Sequence, residues 1–355
     1  MSTEATKMIP GPRNLITDVP GVLVGQASDD VIKTGTTVIT AEKPFVASVD
    51  VMGGAPGTRE TDCLAPERWV DQVDAIVLSG GSALGLDAAS GVADALRADG
   101  RGFAVGPVRV PIVPSAIIFD LLSGGASDWQ QNPYRKLGET ALRAASLDFE
   151  LGSAGAGTGA TTANLKGGTG SASLILPDGY VVAAIAIANP NGAAVDIASG
   201  RFLAASAEFG DEFGARGIVA SADPAALPVN EKLTAFEALR HREAGKGLPG
   251  ANTTLVVVAT DAPLSKAALK RLAVASQDGF ARALLPSHTL IDGDIVFALS
   301  TAQATTLDMP LAEQLLLGHA AALCVSRAIA RGVYAATEAE RDILPTWSKR
   351  YGSDV

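Results

Sequence analysis

Residues 254–260 read Thr-Leu-Val-Val-Val-Ala-Thr, a run of β-branched and apolar side chains without polar alternation. Such a run is the pattern of a strand covered on both faces. Pro263 breaks it, and the alanine- and leucine-rich stretch through about Ala283 has helical spacing. The same unit recurs twice. Residues 74–78 (DAIVL) form a second buried strand, which residues 79–85 turn into a helix from about Leu86 to Leu96. Residues 294–300 (DIVFALS) form a third, leading into an apolar helix from Leu311 to Arg331. Strand–helix units of this kind argue for sheets covered by helices.

The composition supports a packed core. Of 355 residues, 47% are hydrophobic and 19% charged, which leaves little for long disordered stretches. The chain has length for one large domain or two ordinary ones. Its 38 acids outweigh 28 bases for a formal charge of −10. Such a chain repels phosphate, so no nucleic acid and no anionic membrane surface is expected as a partner. Two cysteines, Cys63 and Cys324, are too few for a disulfide framework and suit a reducing compartment. The opening MSTEATKMIPGPRN lacks the apolar core of a signal peptide. Residues 180–188 fall well short of the ~20 apolar residues that a membrane span needs. Residues 311–330 are longer but carry Glu313, Gln314, His319 and Arg327. A cytoplasmic, soluble protein is the expectation.

Two features of organisation stand out. Residues 35–57 and 170–192 share a layout of glycine, strand, turn, aromatic, apolar strand and glycine turn, which hints at a duplicated lobe. Residues 243–252 (EAGKGLPGAN) are the soft spot of the chain, an ordinary loop or a place meant to be cut.

The familiar catalytic signatures are missing. His241, His288 and His319 have no metal-ligand spacing, and neither HExxH nor CxxC occurs. Gly80-Gly81-Ser82-Ala83-Leu84 fails the nucleophile-elbow pattern at its last position. Residues 79–85 do follow a strand and open a helix, the setting for anion binding by free N–H groups. Tight strand-to-helix packing is the plainer reading, because no lysine follows as in a phosphate loop. The Gly155-x-Gly157-x-Gly159 run has no apolar strand before it and reads poorly as a dinucleotide site.

Asn252-Thr253-Thr254 is the most informative site. A threonine at a strand start is unremarkable by itself. If the chain breaks between Asn252 and Thr253, however, the Thr253 hydroxyl gains an α-amine on the same residue. That amine titrates near ~7.7–8.0 and can act as a base without any histidine. Asp292-Gly293-Asp294 reads first as an Asp-Gly hairpin turn. Beside a nucleophile its two carboxylates would orient the ammonium and tune its proton affinity. Asn189, in Asn189-Pro190-Asn191-Gly192, ends an apolar run at a turn, where its amide could donate to an oxyanion. Lys166 is ordinarily a solvated side chain, or else a base that positions a polar group in a cleft.

Taken together, the motifs resemble a known family. They are residues 14–25 (NLITDVPGVLVG), 53–62 (GGAPGTRETD), 78–86 (LSGGSALGL) and 155–160 (GAGTGA) with Lys166-Gly167-Gly168, followed by Asn252-Thr253-Thr254 and Asp292-Gly293-Asp294. In this order they resemble the self-cleaving amidohydrolases that include L-aminopeptidase/D-amino-acid esterases, β-peptidyl aminopeptidases and nylon-oligomer (6-aminohexanoate-oligomer) hydrolases. The resemblance spans nearly the whole chain. It implies an α+β fold, a four-layer αββα sandwich of the type also found in ornithine acetyltransferase, as a single domain over residues 1–355. It also implies autocatalytic cleavage into a large chain, 1–252, and a small chain, 253–355, which stay together. Thr253 would be processing residue and nucleophile, Asp292 and Asp294 its support, Lys166 a lining residue and Asn189 an oxyanion donor. No cofactor and no metal is implied. A homo-oligomer, a tetramer by resemblance, is expected.

The branch reads as closer to the nylon-oligomer hydrolases, because the nucleophile is threonine rather than the serine of the aminopeptidases. Phe119 stands where that branch has a tyrosine, so a hydroxyl that could touch substrate is replaced by a ring. The aminopeptidase branch holds the substrate ammonium with a glutamate that has no match near Pro114-Ser115-Ala116, where only Asp120 could substitute. The expected activity is hydrolysis of linear amides or oligopeptides through an acyl-enzyme. The alternatives are an aminopeptidase, an acyltransferase, and an uncleaved binding protein.

Overall fold

One long strand serves two sheets. A computed structural model of the chain describes residues 7–219, 229–242, 252–304 and 309–352. The strands are β1 (Val22–Asp29), β2 (Thr34–Val51), β3 (Thr58–Arg59), β4 (Val73–Ser79), β5 (Phe103–Val105), β6 (Val108–Val110), β7 (Ser115–Ile117), β8 (Gly168–Ile175), β9 (Val181–Asn189), β10 (Thr253–Thr260) and β11 (Ile295–Ser300). The first part of β2 pairs with β1 and β4, and its last residues pair antiparallel with β11. Between them lies an irregularity from Thr40 to Phe45, where Glu42, Lys43 and Pro44 are exposed. A proline has no N–H to give a ladder, so it suits the place where pairing lapses.

The first sheet runs β3-β7-β4-β2 with β1 on the far side of β2, and the second runs β2-β11-β10-β9-β8. In the second sheet β10 and β11 are parallel, and β9 is antiparallel to β10. The helices are α1 (Ala88–Ala98), α2 (Tyr134–Arg143), α3 (Glu231–Arg242), α4 (Lys266–Ser276), α5 (Asp278–Ala283), α6 (Leu311–Tyr334) and α7 (Trp347–Tyr351).

Alternation along each strand sorts the side chains into three cores. Leu255, Val257 and Ala259 of β10 join Ile185, Ile187, Ile39 and Phe297 between the two sheets. Val256 and Val258 point the other way, against Leu269, Phe280 and Val325 of α4, α5 and α6. Val38, Ala75 and Val77 of the first sheet pack on Val92 and Leu142 of α1 and α2. The result is the helix–sheet–sheet–helix sandwich that the resemblance implied. Phe297 sits fully buried between the sheets, where truncation to alanine typically costs ~3–5 kcal/mol.

Several sequence expectations need correction. The stretch after Pro263 is two helices, because α4 ends at Ser276 and α5 starts at Asp278. Ser265 caps α4 by accepting from the Ala268 N–H at 3.3 Å. The helix after β4 opens as a 3-10 turn, Ser82–Asp87, before α1 begins. The apparent repeat fails: 34–51 is one bent strand, whereas 168–189 is the β8–β9 hairpin. α6 is long and apolar enough to cross a membrane, yet 72% of its most apolar window is buried in the protein, where it packs on the second sheet. Residues 243–251 of the expected soft loop lie outside the described residues.

Candidate active site

The site forms where β9 ends and β10 begins, between the two sheets. Thr253 opens β10 and is the cross-strand partner of Asn189, the last residue of β9. Directly opposed residues carry their side chains on the same face. The alternation that sends Leu255 and Ile187 into the inter-sheet core sends Thr253 and Asn189 the same way. Both are fully buried.

Around the Asn252–Thr253 peptide the carbonyl oxygen is held from two sides. The Thr253 hydroxyl donates to the Asn252 carbonyl oxygen at 2.6 Å, and the Gly293 N–H donates to it at 2.7 Å. The Asn252 N–H in turn donates to the Ile291 carbonyl at 3.0 Å. These bonds dock Asn252 beside Asp292 as an isolated parallel bridge. The Asp292-Gly293-Asp294 segment is therefore not a hairpin turn; it leads into a strand parallel to β10. The side-chain amide of Asn252 is buried with no hydrogen-bond partner among the described residues.

The two carboxylates have different duties. Asp294 accepts from the Thr254 N–H at 2.7 Å through Oδ1. Its Oδ2 meets the N–H and the ring Nδ1 of His288, each at 3.0 Å. Asp292 accepts from the Asn191 N–H at 2.9 Å and from the backbone and hydroxyl of Thr289. Burial, and then the neighbouring Asp294 charge, push the Asp292 carboxyl above its ordinary range. The loop of Gly53 and Gly54 closes over this segment, with the Ala55 N–H donating to the Asp292 carbonyl at 2.8 Å.

Asn189 is fixed from several directions. Its Oδ1 accepts from the Thr161 N–H at 2.9 Å, and its Nδ2 donates to the Phe119 carbonyl at 3.2 Å. Phe119, just past β7 of the other sheet, meets Phe236 of α3 edge to face at 6.4 Å between centroids. A lysine that the sequence pattern does not single out, Lys232 of α3, is fully buried against Asn189.

Lys166 and Asp120 are engaged elsewhere. Lys166 makes a nearly buried ion pair with Asp342 at 2.9 Å, which Lys33 shares at 2.6 Å. Its backbone bridges to Thr161, so it braces the strand turn behind Asn189. Asp120 accepts from the Thr34 hydroxyl and from the Gly81 N–H, each at 2.7 Å. Gly81 has φ +85°, and a Cβ there would strike the Tyr134 ring at 2.0 Å. The turn at 79–85 is thus closed by packing and by an internal carboxylate, which takes the N–H an anion would have needed.

Sequence reasoning missed three participants. The Gly293 N–H had a visible signal, since it sits between the two singled-out carboxylates. His288 had a weaker one, its closeness to Asp294 in the chain. Lys232 had none, because EKLTAFEALRHR carries no clean apolar stripe to place it inside.

A profile of peptidase family S58 matches residues 14–342. The chain belongs to peptidase family S58. As a member of that family it is a hydrolase acting on peptide or amide bonds. An uncharacterised aminopeptidase of Mycobacterium tuberculosis is 41% identical over 337 residues, covering 90% of this chain and 93% of that one. A 6-aminohexanoate-oligomer endohydrolase of Paenarthrobacter ureafaciens is 31% identical over 305 residues, covering 82% and 76%. Among solved structures, a Burkholderia sp. β-aminopeptidase superposes with a TM-score of 0.66 at 25% identity, covering 98% of this chain and 94% of that one. The L-aminopeptidase D-Ala-esterase/amidase of Ochrobactrum anthropi superposes with a TM-score of 0.63 at 21% identity, covering 97% and 96%. That structure is described as a variant of the Ntn hydrolase fold, and the likeness confirms the S58 sandwich seen here.

Proposed function

We propose that this S58 member matures by cutting itself between Asn252 and Thr253 and then hydrolyses linear amides with Thr253 as nucleophile. The observation that carries the reading is the pair of donors on the Asn252 carbonyl oxygen, the Thr253 hydroxyl at 2.6 Å and the Gly293 N–H at 2.7 Å. A polarised carbonyl beside a hydroxyl on the next residue is arranged for an N-to-O acyl shift. The Thr253 Oγ bonds to the Asn252 carbonyl carbon, the C–N bond breaks, and the hydroxyl proton passes to the departing amine. The Gly293 N–H stays on the oxygen as it gains negative charge. Water then hydrolyses the ester, leaving a carboxylate on Asn252 and a free amine on Thr253.

In turnover that amine takes the proton of its own hydroxyl as Thr253 attacks a substrate carbonyl. The Asn189 amide, on the same sheet face, donates to the oxyanion, and Asp294 holds the backbone one residue on through Thr254. The amine product leaves, and water releases the acyl group. Asp292 and Asp294 keep the ammonium form oriented between steps.

An endo-acting amidase is the reading preferred over an aminopeptidase. Asp120, the carboxylate the resemblance offers for a substrate ammonium, is buried and turned to the Thr34 hydroxyl and the Gly81 N–H. The aminopeptidase reading draws support from the name of the 41% identical mycobacterial relative. End-blocked oligoamides separate the two: an endo-hydrolase cleaves them and an aminopeptidase leaves them intact. The maturation itself is tested by intact mass under denaturing conditions with N-terminal sequencing. Two chains, the smaller beginning at Thr253, are expected, and Thr253→Ala should give one. An uncut wild-type chain, or a cut alanine variant, overturns the mechanism.

A further inference from the structure

Lys232 is fully buried, and its ammonium reaches four oxygens and no carboxylate within ion-pair distance among the described residues. The contacts are the carbonyls of Thr161 at 2.8 Å, Pro190 at 3.2 Å and Asn189 at 3.4 Å, with Asn189 Oδ1 at 3.3 Å. An ammonium has three protons to donate and nothing to accept with. Burial lowers its proton affinity to about 7, with the charge of Asp292 working the other way. Packing alone would be served better by an apolar side chain of the same length, since a buried cation without a counter-ion is costly. The cation therefore has work to do at the atoms it touches.

Those atoms converge on one side chain. An asparagine amide is nearly symmetric in shape, so only its partners decide which end faces the site. At the Oδ1 position stand the Thr161 N–H and the Lys232 side chain, both donors, while Nδ2 gives one proton to the Phe119 carbonyl and keeps the other for the site. We propose that Lys232 is a positioning residue, holding the Asn189 amide with its oxygen turned away and its NH₂ group presented to the acyl oxygen under attack. The same contact draws electron density toward Oδ1 and makes the Nδ2 protons better donors. Lys232 belongs to α3, which precedes the proposed cleavage site in the chain, so the large chain would itself arm the oxyanion donor.

The inference rests on the Thr253 reading, and the test separates the two. Oligoamide hydrolysis by the matured enzyme is followed for wild type, K232M, N189A and the K232M/N189A double variant, and self-cleavage of freshly translated T253A by denaturing gel. K232M and N189A should each slow turnover by about 100-fold, the scale of a lost oxyanion donor. The double variant should be no slower than N189A alone, since Lys232 acts through Asn189. Wild-type speed in K232M, or effects that multiply in the double variant, would overturn the role. Cleavage in T253A would instead sink the nucleophile reading. A crystal structure of K232M tests the role independently of any rate: the Asn189 amide should turn, and an unmoved amide bonded as before refutes the proposal. If K232M does not fold by thermal melt, K232L, which also removes every donor, takes its place in both measurements.

Discussion

Gly293 and Thr253 stand so close that no side chain fits between them. A Cβ built on Gly293 would lie 2.6 Å from the Thr253 hydroxyl oxygen and 2.8 Å from the Ala55 carbonyl. The glycine is needed for space, since its N–H must reach the Asn252 carbonyl from the same side. G293A should slow self-cleavage by about tenfold or more while costing about 1–3 kcal/mol of stability, the scale of overpacking. Gel-based cleavage rates at matched fractions folded check this, and a variant that cleaves at full speed would remove Gly293 from the site.

Asp294 ties the start of β10 to His288, with Thr254 on one oxygen and His288 on the other. D294A should slow maturation on the order of 100-fold, because it frees both the strand start and the loop. H288Q should slow it less, since the His288 backbone N–H still reaches Asp294. An equal loss in both variants would mean that the ring, not the carboxylate, is the active partner.

Asp120 makes a pH prediction. Burial raises its carboxyl from 3.8 to about 6, with the Thr34 hydroxyl and the Gly81 N–H opposing. Between those two values the folded chain holds a proton that the unfolded chain has released, so stability falls as pH rises through this window. The gain from Asp120 is complete below about pH 4, lost above about pH 6, and on the order of 3 kcal/mol. Urea midpoints at about pH 4.5 and about pH 7.5 should differ less in D120N than in wild type. If the difference persists unchanged, it belongs to other buried acids such as Asp74 and Asp261, which are shifted the same way.

Under the proposed mechanism, turnover needs only the hydroxyl and amine of Thr253 and water. Among the described residues no group of three or more His, Cys, Asp or Glu is arranged to hold a metal ion. Hydrolysis of an oligoamide should therefore keep its rate within about twofold after dialysis against EDTA, because nothing in the proton path of an N-terminal nucleophile requires a cation. A lost rate restored by a divalent cation would redirect the mechanism.

Much of the sandwich was legible in the sequence because its evidence is local. Residues 254–260 and 294–300 carry unbroken apolar runs, as strands between two covered faces must. The helices were legible where an apolar stripe marked them, so α6 was found and α3 was not. Thr253, Asp292 and Asp294 stood out because their residue types fit one proposed chemistry: a hydroxyl after a glycine-rich stretch, and two carboxylates around a glycine.

The sequence by itself determined which segments become buried strands and helices, and which residue types stand at their ends, since periodicity and turn chemistry act over a few residues. Only the tertiary structure decided who meets whom. The antiparallel register of β9 on β10 set Asn189 opposite Thr253. The packing of two sheets brought the Phe119 carbonyl to Asn189, and helix docking delivered Lys232. The same long-range packing gave Lys166 to Asp342 and Asp120 to Gly81. A side chain's partner depends on sheet order and strand register, quantities summed over the whole core, and no short window of residues contains them.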